Sequence, residues 1–406
     1  MFSAYGFPAK HVFLPKNGPV PKPTHEPLRS MHTTRLILVG GFLAAGKTTL
    51  LWQAARRLAA RGERVGLITN DQAPDLVDTR WLEHAGMAVA DAGIGDVGVA
   101  EVAGSCFCCN FAGLIDASQR LADTLHADVL IAEPVGSCTD LSATILQPLK
   151  EKFSQQFALA PLSVLADPTR LAEVVGGRGS TLHDSTAYIF RKQLEEADLI
   201  VLNKIDLFGT AALDELRQLV RQSFPQADLV CISAQTGQGV DEWLDAVLAP
   251  QQAGRTIAQV DYDVYAEGEA VLGWLNCEIQ LAAAGKEVDW RAFCRDLLGG
   301  LQEAIEHRHA DVGHVKLLLS CPQGECVGNL IRTGGEISVR GRIEGFPPRA
   351  ELVLNARVAM PPDELEQIVR ATLGRLTGGR IDARVVHMKS LRPGRPVPTY
   401  RYARTL

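Results

Sequence analysis

The chain has 406 residues, of which 46% are hydrophobic and 22% charged, so we expect a globular protein of two or three domains. Lysine and arginine number 41 against 47 acidic residues, and the net charge of −6 argues against a generally basic surface for nucleic acid. The apolar runs are shorter than the roughly 18 residues of a membrane span, and the N-terminus lacks the order of a secretory signal. Nine cysteines, three of them within four positions, indicate a reducing compartment, so we expect a cytoplasmic protein.

Residues 1–30 hold six prolines and no helical or strand periodicity, which predicts a flexible N-terminal tail. Between residues 31 and 250, short apolar runs alternate with amphipathic stretches, which predicts an α/β domain with a mostly parallel sheet. The predicted strands are Leu36–Val39, Val65–Thr69, Val129–Ala132, Leu162–Ala166, Leu199–Leu202 and Leu229–Ile232. Crossover helices are predicted at Leu50–Arg61 and Ala212–Gln222.

Residues 251–260 are predicted to be a linker, and residues 261–406 a smaller α+β domain in which strands and helices are mixed. Its predicted strands are Val271–Leu281, Val315–Leu319, Val327–Thr333, Glu336–Arg342, Glu351–Val358 and Ile381–Met388, and its predicted helices are Trp290–His307 and Asp363–Leu376. The basic end, Arg380–Leu406, is interpreted as a loosely packed, solvated tail, with a partner-binding strip as the alternative.

A phosphate-binding loop is predicted where the first strand meets the first helix. The stretch Gly41–Thr48 reads G-x-x-x-x-G-K-T, and such glycines let backbone N–H groups turn towards phosphate oxygens at a helix N-terminus. Lys47 is expected to reach the β- and γ-phosphates, and the Thr48 hydroxyl to bind Mg²⁺. The residues expected to contact the nucleotide phosphates are Gly41, Ala44, Ala45, Gly46, Lys47, Thr48 and Thr49.

The stretch Asn203-Lys204-Ile205-Asp206 follows a predicted buried strand and favours guanine over adenine. A carboxylate there can accept hydrogen bonds from guanine N1–H and the exocyclic amine, a donor pair that adenine lacks. Lys204 can lie along the base, and Ser233-Ala234, after the next strand, can contact the guanine oxygen. We therefore expect GTP rather than ATP.

Two carboxylates follow predicted strands at positions suited to Mg²⁺. Glu133 precedes Pro134-Val135-Gly136, and Asp71 follows Asn70. Together with Lys47 they are the predicted catalytic groups, and Gly136 can bring its N–H to the γ-phosphate and move on hydrolysis. The alternative is that each carboxylate caps a strand end. No glutamine stands where it would orient water, so slow intrinsic hydrolysis is expected.

Three cysteines, Cys106, Cys108 and Cys109, lie within four positions. A turn there can gather three thiolates around zinc or Cu(I), and by geometry also cobalt or nickel, with one ligand position left open. The alternatives are three small buried hydrophobic residues or a redox dithiol. Because the cluster lies between Asp71 and Glu133, metal binding and nucleotide state are expected to be coupled.

Other candidate residues have weaker signals. His307, His309 and His314 can join a metal site or be exposed residues near a helix end, and Cys321 and Cys326 can form a second metal or redox pair. Four further cysteines lie in apolar patterns and are predicted to be core residues: Cys138, Cys231, Cys277 and Cys294.

These motifs together resemble the CobW-like GTPases, relatives of the urease and hydrogenase nickel-insertion GTPases. The resemblance covers Thr34 to Leu248 and rests on Gly41–Thr49, Cys106–Cys109, Glu133–Gly136 and Asn203–Asp206 in the family's order. It implies a GTP-hydrolysing metallochaperone or metal-insertion factor whose cysteines bind the metal, and a possible homodimer. Thr69–Gln72 and Pro134–Val135 depart from the usual CobW motifs, which indicates a divergent member.

The expected function is delivery of a transition metal, zinc or alternatively Co²⁺ or Ni²⁺, to a client metalloprotein, driven by Mg²⁺-dependent GTP hydrolysis. The alternatives are a GTP-driven remodelling or protection factor for a cofactor-dependent client enzyme, and a zinc store or sensor on a GTPase scaffold. A third, an ATP-using kinase, is disfavoured by Asn203–Asp206. Neither a membrane nor a nucleic acid is an expected partner.

Overall fold

The structure is a computed structural model that describes residues 33–406 except positions 74, 75, 92, 94, 178, 180, 181 and 286. The predicted N-terminal tail, residues 1–30, lies outside the described residues. Among the described helices, none combines the length and the apolarity needed to cross a bilayer.

The first half of the described chain forms a parallel sheet with the order β3-β2-β4-β1-β6-β7-β8, and β5 also pairs with β1. The strands are β1 (Thr34–Gly41), β2 (Val65–Asp71), β3 (Val97–Ala103), β4 (Val129–Glu133), β5 (Phe157–Leu159), β6 (Ser163–Ala166), β7 (Leu199–Leu202) and β8 (Asp228–Cys231). Every pairing in this sheet is parallel, and the central strands are apolar because helices cover both faces. The strands therefore direct the loops that follow them to one edge of the sheet.

Helices connect these strands, as parallel pairing requires. They are α1 (Lys47–Ala60), α2 (Val77–Asp91), α3 (Phe111–Thr124), α4 (Gln147–Phe153, after a π-helical turn at Ser142–Leu146), α5 (Pro168–Val174), α6 (Asp184–Glu195), α7 (Thr210–Ser223) and α8 (Val240–Leu248). A 3₁₀ turn, Ile205–Leu207, follows β7.

The second half forms an antiparallel sheet with the order β12-β11-β10-β13-β9-β14. Its strands are β9 (Gly273–Ala283), β10 (Val312–Cys321), β11 (Gly324–Leu330), β12 (Ser338–Ile343), β13 (Arg349–Val358) and β14 (Ile381–Leu391), with helices α9 (Tyr262–Ala270), α10 (Trp290–Glu306) and α11 (Pro362–Thr377). The core between this sheet and α10 and α11 is separate from the cores of the parallel sheet. The predicted fold class, a mostly parallel α/β domain followed by a smaller α+β domain, is confirmed.

Helix α2 joins the two halves. Val77 packs with Leu318 and Val353 of the antiparallel sheet, and Lys316 Nζ lies 2.7 Å from the Asp78 carboxylate. The backbone N–H of Val77 donates to Asn355 Oδ1 at 2.7 Å. Because α2 follows β2, the second sheet is held directly beside the end of that strand.

The prediction of a loosely packed basic tail is wrong. The first part of that segment is β14, and the residues after it return to the parallel domain. We call residues 395–406 the C-terminal strap. Tyr402 N donates to Ala143 O at 3.1 Å, Leu406 N donates to Gln147 Oε1 at 2.8 Å, and the Tyr400 ring packs against Phe111 with centroids 5.2 Å apart. An aromatic contact and paired backbone groups hold the strap despite its charge.

Candidate functional site

The phosphate loop, Gly41–Thr48, connects β1 to α1 as predicted. Its backbone has φ of 129° at Gly41, 61° at Ala44 and 97° at Gly46. At Gly46 a Cβ would lie 2.4 Å from Asn203 Nδ2, so glycine is required both for the left-handed conformation and for this approach. The buried Lys47 Nζ donates to Gly41 O at 2.8 Å, which places an ammonium group inside the loop.

Asn203 joins the phosphate loop to the predicted base-binding segments. Its Nδ2 donates to Ala45 O at 2.8 Å, and its Oδ1 accepts from Ala234 N at 2.9 Å. Lys204 has φ 60°, and its Nζ lies 2.6 Å from the Asp167 carboxylate. The structure thus brings the N-K-x-D and Ser233-Ala234 segments together.

Two further predicted base contacts differ in exposure. Asp206 is exposed in the 3₁₀ turn after β7, with its side chain open to a ligand. Ser233 is buried, and its hydroxyl accepts from Thr236 N at 3.1 Å. The backbone N–H groups of both residues are also paired, Ser233 N with Gln238 O at 2.8 Å and Ala234 N with Asn203 Oδ1 at 2.9 Å, so the role of Ser233-Ala234 at the base stays a prediction.

Glu133 lies beside the phosphate loop. Thr48 Oγ1 donates to Glu133 Oε2 at 3.0 Å, and Lys47 Nζ lies 3.8 Å from Glu133 Oε1. Burial raises the pKa of Glu133 and lowers the pKa of Lys47, and the opposite charge of each partner resists both shifts. Gly136 is close as well, since a Cβ there would lie 3.2 Å from Lys47 Nζ. A hydroxyl and a carboxylate oxygen at this spacing fit a site for Mg²⁺.

Asp71 is held by the antiparallel sheet. Arg357 Nη2 lies 2.5 Å from Asp71 Oδ2, with both side chains buried, and Asn276 Nδ2 donates to the same oxygen at 3.2 Å. The Arg357 guanidinium stacks over Trp274, 4.1 Å from the ring centroid. The carboxylate predicted for Mg²⁺ therefore has a cation from the second domain beside it, and its role with Mg²⁺ stays a prediction.

A cavity between the two sheets is lined by Lys47, Asp71 and Glu133 from one side and by His314, Lys316 and Arg357 from the other. Burial lowers the pKa of His314 well below its usual value, so this imidazole is neutral. Its Nδ1 is buried without a hydrogen-bond partner. Sequence reasoning assigned His314 to a possible metal site and did not identify Lys316 or Arg357 at all.

The cysteine turn, residues 104–110, follows β3 at the same edge of the sheet. Gly104 has φ 98°, and Cys109 N and Asn110 N both donate to Cys106 O, at 3.1 and 2.9 Å. The turn ends at Asn110, whose side chain accepts from Gly113 N and caps α3. A tight turn of this kind brings neighbouring side chains to one side.

The three cysteine sulfurs converge as the spacing predicts. Cys106 Sγ and Cys108 Sγ are 3.0 Å apart, Cys108 Sγ and Cys109 Sγ are 3.7 Å apart, and all three lie within 4.8 Å of one another. Hydrogen bonds from neighbouring thiols lower the pKa of Cys106. The hydrogen bond with Cys106 raises the pKa of Cys108. This donor set fits a soft divalent ion.

The other candidate metal ligands are not brought together. Cys106, Cys108 and Cys109 form the only cluster of three or more potential metal ligands found in the described part of the chain. Cys321 is half-buried and donates to Gly324 O at 3.3 Å, and Cys326 is buried. His307 and His309 lie at the end of α10, where both are exposed.

Asn70 connects the cysteine turn to β2. Its Nδ2 donates to Val102 O at 2.7 Å and to Ser105 O at 2.8 Å, and its Oδ1 accepts from Phe107 N at 2.9 Å. Since Asn70 directly precedes Asp71, the cysteine turn is tied to the strand end beside the phosphate loop.

One contact of the cysteine turn was missed by sequence reasoning. Cys138 is buried, as predicted for a core residue. The C-terminal strap covers the turn from another side, because Thr399 N donates to Cys108 O at 2.8 Å and Val397 N donates to Cys109 Sγ at 3.3 Å.

The site is therefore that of a P-loop nucleotide-binding domain that carries a cluster of thiols. Residues 35–231 match the description "CobW/HypB/UreG, nucleotide-binding domain", so this part of the chain is similar to the nucleotide-binding domain of that family. The resemblance inferred from the motifs is confirmed.

Known relatives are similar over part of their length. A zinc chaperone CobW of Sinorhizobium sp is 30% identical over 203 residues, 45% of this chain and 54% of the relative. The hydrogenase maturation factor HypB of Cupriavidus necator is 43% identical over 67 residues, 16% of this chain and 19% of the relative. The chain thus spans about half the length of the CobW relative. The Zn(II)-bound YjiA GTPase from E. coli has a TM-score of 0.34 at 15% identity, with 85% of this chain and 99% of that chain covered, a level too low to support an inference.

Proposed function

We propose that this protein hydrolyses GTP and binds a transition-metal ion, zinc before Co²⁺ or Ni²⁺, at Cys106, Cys108 and Cys109, as a metallochaperone or metal-insertion factor. The observation that carries the proposal is the convergence of three sulfurs within 4.8 Å on a turn that Asn70 ties to the strand end beside the phosphate loop. Thiolates are the preferred ligands of such ions, and the coordination position that they leave open suits an ion that is passed on.

The phosphate loop accounts for the hydrolysis. The loop N–H groups and the N-terminus of α1 attract the phosphates, and Lys47 supplies positive charge to the β- and γ-phosphate oxygens. Thr48 and Glu133 would hold Mg²⁺, which when bound neutralises charge on the phosphates. Glu133 would orient the attacking water through this metal shell, and the buried setting excludes other water.

Guanine selection is assigned to Asp206, with Lys204 along the base and the Ser233-Ala234 turn beside it. The Asp206 side chain is exposed and lies on the segment that Asn203 fixes to the phosphate loop. A carboxylate set to accept two donors rejects a base that lacks them by leaving its own oxygens unpaired.

Two loops are proposed to link the nucleotide site to the metal site. Asp71 and Asn70 are adjacent, and Asn70 holds the cysteine turn through three hydrogen bonds. The loop after Glu133 passes Gly136, which lies against Lys47. Movement of either loop on hydrolysis would change the geometry of the thiols, which is the proposed release step.

The relatives support this assignment by name. The CobW relatives are zinc chaperones, and the HypB relative is a hydrogenase maturation factor. We extend these activities to this chain as a proposal, with a client metalloprotein as the acceptor, a cytoplasmic location and possible homodimers. The division at residues 31–250, 251–260 and 261–406 belongs to the same proposal.

The test is an anaerobic titration of Zn²⁺, Co²⁺ and Ni²⁺ into wild type and a Cys106/Cys108/Cys109→Ala variant, followed by thiolate-to-metal absorption. Each titration is run with GTP·Mg²⁺, with GDP·Mg²⁺ and without nucleotide. Cys231/Cys321→Ser is the matched control, because both thiols are half-buried and lie in other parts of the fold. A tight site that is lost only in the triple variant and changed by GTP supports the proposal. Equal affinity in all nucleotide states would remove the coupling, and no tight site would remove the metal function.

A further inference from the structure

The second domain covers the end of the phosphate loop at which a terminal phosphate would lie. Gly313 of β10 packs so close to the loop that a Cβ there would lie 3.1 Å from Leu43 Cδ1. Beside this contact, the cavity between the two sheets is lined by Lys47, Glu133 and Gly136. Because the lysine of a P-loop reaches the β- and γ-phosphates, this cavity is the γ-phosphate end of the proposed nucleotide site.

A β-bulge turns β10 towards this cavity. Gly313 and His314 together stand opposite Arg357 of β13, where the register of the pairing shifts. Val312 and Val315, on either side of them, both pack in the core of the second domain. An alternating strand would place only one of the two intervening residues on the opposite face, whereas here Gly313 contacts the phosphate loop and His314 lines the cavity. Bulges commonly re-aim a side chain in this way next to a binding site.

Two buried ring nitrogens on the second-domain side of the cavity have no hydrogen-bond partner among the described residues. They are Nδ1 of His314 and Nε1 of Trp274. The two residues are 9% and 2% exposed, and both line the cavity. The indole N–H can only donate, and a neutral imidazole with its proton on Nδ1 donates as well. Because a buried donor without an acceptor lowers stability, a ligand with acceptor atoms in this cavity would satisfy both groups.

The charges on this side of the cavity suit an anion. Among the described residues that line it from the second domain, two are cations, Lys316 and Arg357, and none is a carboxylate. Both cations pair with carboxylates of the parallel domain, Asp78 and Asp71, so the donors left for a ligand are the two ring nitrogens. The cavity has a volume of about 50 Å³, which admits a few water-sized groups and therefore suits a phosphoryl group rather than a nucleoside.

We infer that Trp274 and His314 bind oxygens of the γ-phosphate of GTP, so that the second domain completes the γ-phosphate subsite. This inference rests on the proposed function and adds to its nucleotide site a contact that GDP cannot make. In hydrolysis the water oxygen bonds to the γ-phosphorus, the bond to the bridging oxygen breaks with its electron pair left on GDP, and inorganic phosphate leaves with the water protons. The two ring nitrogens then lose their acceptor, so β9 and β10 respond directly to the nucleotide state.

The first test compares nucleotide affinities of Trp274→Phe and His314→Leu with those of wild type. The full chain is titrated with GDP·Mg²⁺ and with the Mg²⁺ complex of GppNHp, a non-hydrolysable GTP analogue. Loss of a hydrogen bond to a charged acceptor should weaken GppNHp binding about 10-fold and leave GDP binding unchanged. Equal losses for both nucleotides, or no loss for either, would contradict the inference.

The chain offers a matched control in His387→Leu. Nε2 of His387 is also buried without a partner among the described residues, but His387 lies on β14 and does not line the cavity. This variant should bind both nucleotides as wild type does. Trp274→Phe keeps an aromatic ring beneath Arg357, so its effect reports the indole N–H rather than loss of the stacked ring.

The second test uses the wild-type protein and needs no variant that folds. Nitrogen-15 in the indole rings of the five tryptophans gives one N–H signal for each, and the other four, all in the described part of the chain, do not line the cavity. A hydrogen bond to phosphate should move one signal downfield with GppNHp·Mg²⁺ but not with GDP·Mg²⁺. Identical signals with both nucleotides would overturn the inference, as would the same shift with inorganic phosphate alone, which would indicate a site for free phosphate.

These outcomes separate the two proposals. If wild type binds neither GppNHp nor GDP, the proposed function is wrong and this inference fails with it. If wild type hydrolyses GTP but the ratio of the two affinities is unchanged in Trp274→Phe and His314→Leu, the proposed function stands and only the contact from the second domain is wrong.

Discussion

The phosphate loop and the cysteine turn lie at the same edge of the parallel sheet, but their neighbours come from different sources. The phosphate loop is held by Asn203 and Ala234, which belong to other recognisable nucleotide-binding motifs. The cysteine turn is held by Asn70 and Thr399, neither of which belongs to a motif for metal binding. The phosphate loop is thus held by other nucleotide-binding motifs, whereas the cysteine turn is held by residues that carry no motif of their own.

This difference has a consequence for regulation. Asn70 and Asp71 on one loop, and Gly136 on another, line the same cavity as Lys47 of the phosphate loop. In the proposed mechanism, a change at the nucleotide reaches the thiols through Asn70, which holds the cysteine turn. The following variants test each side in turn.

The largest effect is expected from Lys47→Ala, which should disable GTP hydrolysis and leave the cysteine turn intact. The buried ammonium inside the phosphate loop is removed, and loss of such a preorganised charge lowers kcat by about 10²–10³-fold. Phosphate release under saturating GTP measures this loss. Lys389→Ala, at an exposed position on β14, is the control. If Lys47→Ala retained full turnover, the loop would not be the hydrolytic site.

Asp206→Ala should change nucleotide choice with little change in the fold, because the side chain is exposed. Removing the acceptor for two guanine donors should reduce the preference for GTP over ATP by at least about 10²-fold. The ratio of kcat/KM for the two nucleotides is the readout, and Asp245→Ala on the exposed face of α8 is the matched control. An unchanged ratio would show that guanine is recognised elsewhere.

The sequence predicted the phosphate-loop side better than the metal side for physical reasons. Runs such as Leu199–Leu202 are apolar on both faces, and the observed β7 has the same bounds. The edge strand β3, Val97–Ala103, was missed because it contains Glu101 and is only partly buried, so it lacks a continuous apolar run. Periodicity reports burial, and an edge strand is buried least.

The missed residues share a feature, which is that their partners are distant in the chain. Arg357 gives no sign in its own segment that it pairs with Asp71. The strap is rich in arginine, which predicts solvent exposure, yet Arg401 pairs with a buried carboxylate of the parallel domain. Pairing of this kind is decided by tertiary packing and leaves no local pattern.

A smaller effect is expected from Asn70→Ala, which cuts one connection between the two sides. It leaves Phe107 N and Ser105 O without their partner, and an unpaired buried polar group lowers the free energy of unfolding by about 1–3 kcal/mol. Urea unfolding measures this change. Metal affinity should also lose part of its dependence on GTP, while Asn329→Ala, on the half-buried part of β11, should leave both properties unchanged. Full dependence on GTP in Asn70→Ala would assign the coupling to the Gly136 loop alone.

The smallest effect is expected from Arg401→Ala, which loosens the strap without touching the nucleotide. Arg401 Nε lies 2.6 Å from the fully buried Asp140 carboxylate, and removal of one partner lowers the free energy of unfolding by about 1–3 kcal/mol. Burial already raises the pKa of Asp140, and Arg401 and Tyr262 oppose that shift. Without Arg401 the pKa of Asp140 rises further, so the carboxyl is protonated more easily in the folded protein. The loss of stability should therefore be larger at neutral pH than at acidic pH, where protonation relieves the unpaired charge.

The same variant tests whether the strap shields the cysteine turn as well as stabilising the fold. Val397 N donates to Cys109 Sγ, so a loosened strap should expose that thiol and speed its alkylation by iodoacetamide in the metal-free protein. Arg404→Ala, an exposed position on the strap, is the matched control and should alter neither stability nor alkylation. If Arg401→Ala loses stability but Cys109 reacts at the wild-type rate, the strap stabilises the parallel domain without shielding the cysteine turn. Access of a client to the metal would then depend on the nucleotide-linked loops alone.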